Sequence, residues 1–316
     1  MKFDASNRVR MAAANNYRPE FVRINRQAIE QLERPADLQS MGSTLANTPL
    51  AGNINAYIPY FIAMNVLNYQ FWDISETGEF QRYSNNGVVG ALAMQQGMME
   101  HWAAALGDSG ASLDIPSQVE RVVPALRSRI EASGVGFILG DVPAAESRRE
   151  LLLEVLNVEL LTTAAEYLAG RLRRSATLGW GDARLLAYLF PKCYGDRYLK
   201  KAQLTLMFIA GEYNSTNPAR RCSLEVTAAA DYQLPKVLRS LGILEYCEEL
   251  ANCVDGQQLI LAGSAYEEAI RAATILACDA LAEYFGVTIE QIDFWLWLNR
   301  NRARDAQFHL TRTTAY

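Results

Sequence analysis

The sequence predicts a mainly α-helical protein with a small β-hairpin or minor sheet, and three observations point to that class. Apolar residues recur at helical spacing through most of the chain, as Leu234, Val237, Leu238 and Leu241 do. Segments also begin and end with helix punctuation. Pro235 suits a first turn, where its missing N–H costs nothing, and Gly242 is a natural stop. Only the pieces around Thr77-Gly78, between Phe71 and Tyr83, combine β-prone residues with a hairpin turn.

Composition narrows the field. The 316 residues are read as one domain over 1–316, divisible into an N-terminal subregion 1–110 and a helical C-terminal subregion 111–316. Half the residues are hydrophobic, enough for a substantial core, and the net charge of −5 speaks against a general nucleic-acid binder. No apolar run follows residues 1–6, so no signal peptide is expected, and no window reads as a membrane span. Cys193, Cys222, Cys247, Cys253 and Cys278 are scattered without a CxxC pair, and the two histidines stand apart at 101 and 309. A zinc site or disulfide framework is not expected, and a reduced, cytoplasmic setting fits best.

In chain order, residues 7–33 read as a helix, followed by a polar linker through Pro35 and Ser40 to Pro49. Ile58–Trp72 is dense in aromatics and reads as core by default, with a ligand wall as the alternative. Val88–Leu106 reads as a helix whose Met94, Met98 and Met99 fill the core, with His101 structural. Two more helices cover 115–133 and 144–175. The second places Ser147-Arg148-Arg149-Glu150 on its polar side and closes with Arg171, Arg173 and Arg174 at its negative dipole end. A short helix ends near Phe190-Pro191, and another runs from Tyr198 to about Tyr213. Its adjacent Lys200 and Lys201 suit either a solvated surface or a phosphate. Leu259–Leu261 reads as a strand, Ser264–Tyr284 as a long helix, and Thr288 opens the last helix. The tail from Phe308 to Tyr316 is aromatic and basic, and is expected to dock on the body.

Two carboxylates stand out. Asp231 lies just ahead of the helix opened by Leu234-Pro235, where free amides favour an anion; it is read either as a helix cap or as a group that meets a flat, positively charging substrate beside Tyr232. Asp293 interrupts the run Ile292-Asp293-Phe294-Trp295-Leu296-Trp297-Leu298, and a carboxylate in such apolar surroundings needs a partner, a cavity or a chemical task. GxGxxG, P-loop, HExxH and GxSxG motifs do not occur. Two carboxylates with aromatics and a few cations suit cleavage of an N-glycosidic bond, in which an oxocarbenium-like sugar is stabilised or captured.

The chain resembles the queuosine salvage family, the queuosine 5′-phosphate N-glycosylases/hydrolases. The resemblance rests on Leu67–Trp72; Phe190-Pro191 with Tyr194 and Asp196; Lys200-Lys201-Ala202-Gln203; Ala230–Pro235 with Leu241-Gly242; Asp293–Trp297; and His309, Arg312 and Tyr316. It implies an architecture similar to helix-hairpin-helix DNA glycosylases and release of the 7-deazaguanine base queuine from the nucleotide, with no metal or other cofactor. By the same resemblance Asp293 sits at the reacting centre with Phe294 beside it, and Asp231 and Tyr232 meet the base, the two aspartates being exchangeable in role. Lys200, Lys201, His309 and Arg312 are candidates for the 5′-phosphate, Arg being the better geometric match, and Asp196 is a further substrate-binding candidate. The implied partner is a small-molecule nucleotide, with neither membrane nor direct nucleic-acid contact.

The pattern departs from the family at four places: Ser43–Asn47 offers no histidine, Ala229 replaces an aromatic, Leu298 replaces an acid, and the loop between Asp196 and Lys200 is shorter than usual. The alternative reading is a non-catalytic or altered-specificity binder of a related deazaguanine nucleotide. A DNA-acting glycosylase is a third reading, and the acidic balance speaks against it.

Overall fold

In a computed structural model, residues 7–316 are described except 76, 109, 111 and 112. Helices account for most of the chain, and the strands form short two-stranded pairs. The aromatic run becomes helix Ile54–Asn65, whose residues from Ala56 to Asn65 are all buried. That all-round burial explains why the run is apolar on every face. It packs between helices Val158–Arg174 and Lys200–Thr216. Helices Ala91–Leu106 and Ile115–Ser133 complete this first core, and Met94 and Met98 are buried in it.

A second core forms around helix Ala265–Phe285, which packs against helices Arg8–Asn16, Gln233–Ser240 and Ile289–Asn299. A smaller cluster of Trp72, Tyr232, Phe308, Leu310 and Tyr316 fastens the tail to the body. The hairpin expected around Thr77-Gly78 is present, with Trp72–Ile74 antiparallel to Phe80–Arg82 and Ile74 opposite Phe80.

Several expected elements are broken, each for a local reason. The 7–33 helix is two helices, Arg8–Asn16 and Arg26–Gln31, separated by strand Val22–Ile24. Pro19 excludes continuation, and Val22–Ile24 pairs with the distant Leu244–Tyr246. The 144–175 helix splits into Ala145–Val155 and Val158–Arg174, because Asn157 turns extended and its side chain caps the second by accepting from Leu160 N. Val88-Val89 pairs with Ser84-Asn85, so the next helix begins only at Ala91. Leu259–Leu261 contributes a single bridge, Leu259 to Leu310. Arg148, expected on a polar face, is fully buried. Among the described residues no single helix is long and apolar enough to cross a membrane.

Candidate functional site

The junction of the two cores is an extended segment that leaves strand Ser223–Glu225 and enters helix Gln233–Ser240. Thr227 pins it, its N–H donating to Gln203 Oε1 at 2.7 Å and its hydroxyl accepting from Gln203 Nε2 at 2.9 Å. Ala230 O accepts from Arg271 Nε at 3.3 Å. At the end of the segment Asp231 Oδ1 accepts from Gln233 N at 2.7 Å and Leu234 N at 3.2 Å. Asp231 therefore caps the helix, and its side chain also borders open space.

Asp293 approaches from helix Ile289–Asn299, whose start is fixed by reciprocal bonds between Thr288 and Gln291. The residue is only 4% exposed, and Oδ2 accepts from Ala229 N at 2.7 Å. Burial is the largest influence on this carboxyl, followed by the Ala229 amide, which opposes it, and by Asp231, which reinforces it; the pKa is pushed up to about 7.

Two chambers meet here. An apolar one of about 200 Å³ is lined by Phe208, Ala229, Asp231, Asp293, Phe294 and Trp297, among others. A more polar one of about 250 Å³ is lined by Tyr69, Arg82, Tyr232, Lys236, Arg300 and Phe308, among others. Asn68, Ala91, Leu92, Lys200, Asp231 and Trp297 border both. Asp231 and Asp293 thus open into one hollow, the apolar chamber, flanked by rings and by Lys200. Phe294 and Trp297 stack nearly parallel there, at 10° with centroids 6.4 Å apart.

The remaining candidates fall in different places. Lys200 is buried at the wall of both chambers, its Nζ donating to Asn68 O at 3.1 Å, and burial lowers its pKa against the pull of Asp231 and Asp293. Lys201 lines neither chamber: its Nζ donates to Val66 O at 3.0 Å, and burial brings its pKa down to about 7. His309 lines neither chamber. It pairs with the Tyr316 hydroxyl at 3.1 Å, and burial beside Arg271 takes its pKa down to about 3, so it carries no charge at neutral pH. Arg312 is exposed and pairs with Asp73 at 3.2 Å. Asp196 is gripped by Arg271 at 2.8 and 2.6 Å and accepts from Lys200 N, at the start of the helix that carries Lys200. Tyr232 accepts at its hydroxyl from Phe71 N at 3.4 Å, and its ring lies against Phe308 with centroids 4.9 Å apart.

The sequence reading missed Lys236, Arg300 and Arg82 as chamber-lining cations. Lys236 Nζ donates to Arg300 O at 3.1 Å, and the Arg300 guanidinium lies 3.6 Å from the centroid of the Trp297 ring. A signal was available, since Lys236 falls in the Asp231–Leu241 stretch and Arg300 shortly follows Trp297. Among the described residues no cluster of three or more His, Cys, Asp or Glu is placed to hold a metal.

Chemically, the apolar chamber offers a proton-poised carboxyl beside ring faces, and the polar chamber offers cations. Such a pair suits a substrate with a flat apolar portion joined to an anionic one.

Comparison with known proteins finds relatives of one description. Residues 197–316 match the family described as queuosine salvage protein. The chain is 29% identical over 197 residues to a queuosine 5′-phosphate N-glycosylase/hydrolase of Sphaerobacter thermophilus, across 56% of this chain and 59% of that relative. It is 26% identical over 175 residues to the protein of the same description from Dictyostelium discoideum, across 50% of this chain and 53% of the relative. The chain thus spans little more than half the length of these relatives. The family match supports the resemblance read from the motifs, and it falls on residues 197–316, the part of the chain that supplies Lys200, Asp231, Asp293 and Trp297 to the chambers.

Proposed function

We propose that this chain hydrolyses the N-glycosidic bond of queuosine 5′-phosphate and releases queuine. The observation that carries the reading is Asp293, a buried carboxyl with a pKa near 7 that shares a ring-lined chamber with Asp231 and Lys200. In this reading the sugar–base bond breaks in the apolar chamber as positive charge builds on the sugar carbon. The Asp293 carboxylate stabilises that charge or bonds to the carbon, water supplies the oxygen that ends there, and the base leaves with a proton. A 7-deaza base has carbon in place of N7, so assistance to its departure comes from hydrogen bonds elsewhere on the ring. Asp231, locked by two backbone amides, fits that recognising role. Lys200, Lys236 and Arg300 are the cations proposed to hold the 5′-phosphate, orienting the sugar with binding energy remote from the reacting carbon.

A specific observation favours a second reading, that of a non-catalytic or altered-specificity binder of a related deazaguanine nucleotide. Ala229 and Thr44, which stand at positions that depart from the family, both line the apolar chamber. Purified protein incubated with queuosine 5′-phosphate, the free nucleoside and GMP, with base release followed by chromatography, separates the two. Queuine release from the nucleotide supports the first reading. Thermal stabilisation by the nucleotide without turnover supports a binder, and no response to any of the three removes both.

A further inference from the structure

The loop between helix Ile54–Asn65 and the hairpin supplies Asn68, Tyr69, Phe71 and Trp72 to the polar chamber. Its backbone is unusual. Gln70 adopts φ +34°, a left-handed conformation that costs a non-glycine residue energy and persists only where surroundings enforce it. The enforcement is visible on every side. Gln70 N donates to Tyr316 O at 3.1 Å, and Thr313 N donates to Gln70 Oε1 at 3.2 Å, so the docked tail holds one face.

Arg148 holds the other face. It is fully buried, and among the described residues no carboxylate pairs with it. A buried guanidinium without a counter-charge is costly, so what surrounds it shows what it is kept for. Its Nη2 donates to Tyr69 O at 2.6 Å and to Gln70 O at 3.0 Å. Its guanidinium carbon sits 4.0 Å from the Tyr69 ring centroid and 5.4 Å from that of Phe71. Nε and Nη1 have no hydrogen-bond partner among the described residues, which leaves the ring faces as their compensation. Every contact named here falls on the turn Tyr69–Phe71, and Arg148 itself lines neither chamber.

We propose that Arg148 is a positioning residue, whose guanidinium fork holds the strained Gln70 turn so that Tyr69, Phe71 and Trp72 wall the polar chamber. The consequence for turnover rests on the proposed hydrolysis; the consequence for the turn does not. The test compares the wild type with Arg148→Met and Arg148→Lys by hydrogen exchange of residues 69–72 and by KM and kcat on queuosine 5′-phosphate. Arg148→Met is expected to speed exchange in the turn, leave helix Ala265–Phe285 protected as before, and raise KM about tenfold with kcat within about threefold. Arg148→Lys keeps charge and stem but loses the planar fork, and is expected to fall between the two. If the Met variant does not fold, the Lys variant carries the test with a smaller shift in the same direction. Native exchange at 69–72 in a folded variant overturns the proposal, as does faster exchange with KM unchanged. A wild type without turnover counts against the hydrolysis, and the exchange measurement then decides the role of Arg148 by itself.

Discussion

Asp196 and Asp293 are both enclosed carboxyls, and the protein treats them in opposite ways. Burial pushes each toward the neutral form, but around Asp196 the Arg271 fork outweighs burial and pulls the pKa below the ordinary carboxylate range. Arg271 is itself well supplied, with Glu267 at 3.6 Å and the rings of Tyr198 and Tyr316 at 4.7 and 4.5 Å. Asp293 receives the backbone N–H of Ala229 and the weaker pull of Lys200, and burial prevails. The contrast teaches that burial does not by itself mark a reactive acid. A carboxyl whose compensation has been supplied builds the fold; one left without it, facing a cavity, is available for chemistry.

The sharpest way to break that contrast is Asp293→Asn. Base release is expected to fall about 10³-fold or more, with the fold intact by circular dichroism. Stability should move the other way. Because the folded pKa is raised to about 7, native Asp293 holds a proton that the unfolded chain has already lost between about pH 4 and pH 7. Wild-type stability therefore declines as pH rises through that window, and the Asn variant escapes the decline. Its Tm advantage should be near zero at pH 4 and positive at pH 8; a Tm below wild type at pH 8 would contradict the account of Asp293 as uncompensated.

Arg271→Met attacks the other half. It strands the Asp196 charge, and urea denaturation should show a loss of about 3–5 kcal/mol, as for a broken buried pair. Adding Asp196→Asn should recover much of that loss. A single-variant loss under about 1 kcal/mol would mean that Asp196 is not held as described.

The polar chamber gives the smallest expected effect. Lys236→Ala should raise KM for queuosine 5′-phosphate about tenfold while changing that for the nucleoside little, the loss expected for one charge-assisted hydrogen bond. Equal changes for both substrates would remove Lys236 from the phosphate assignment.

Much of this contrast could be read in the sequence, and the parts that could not share a cause. Asp293 was visible because an acid inside an apolar helical run conflicts with its surroundings, and Asp231 because helix-start punctuation follows it. The charges beside Arg148 point to a polar face, since nothing local shows that its partners are the carbonyls of residues 69 and 70. Lys200 and Lys201 were ambiguous for the same reason: the loop carbonyls that neutralise their burial cost come from distant sequence. The strand at Val22–Ile24 was hidden because its partner, Leu244–Tyr246, is remote in sequence. Local pattern reveals a side chain in conflict with its neighbours, whereas long-range compensation appears only once the chain has folded.

The most direct test of the central claim is the pH dependence of kcat/KM for queuosine 5′-phosphate. If Asp293 acts as the anion, activity should rise about tenfold per pH unit on the acid side, level off near pH 7, and lose that limb in Asp293→Asn. A profile already flat from about pH 5 upward, the behaviour of an ordinary solvated carboxylate, would show that the reacting acid is not the uncompensated one described here.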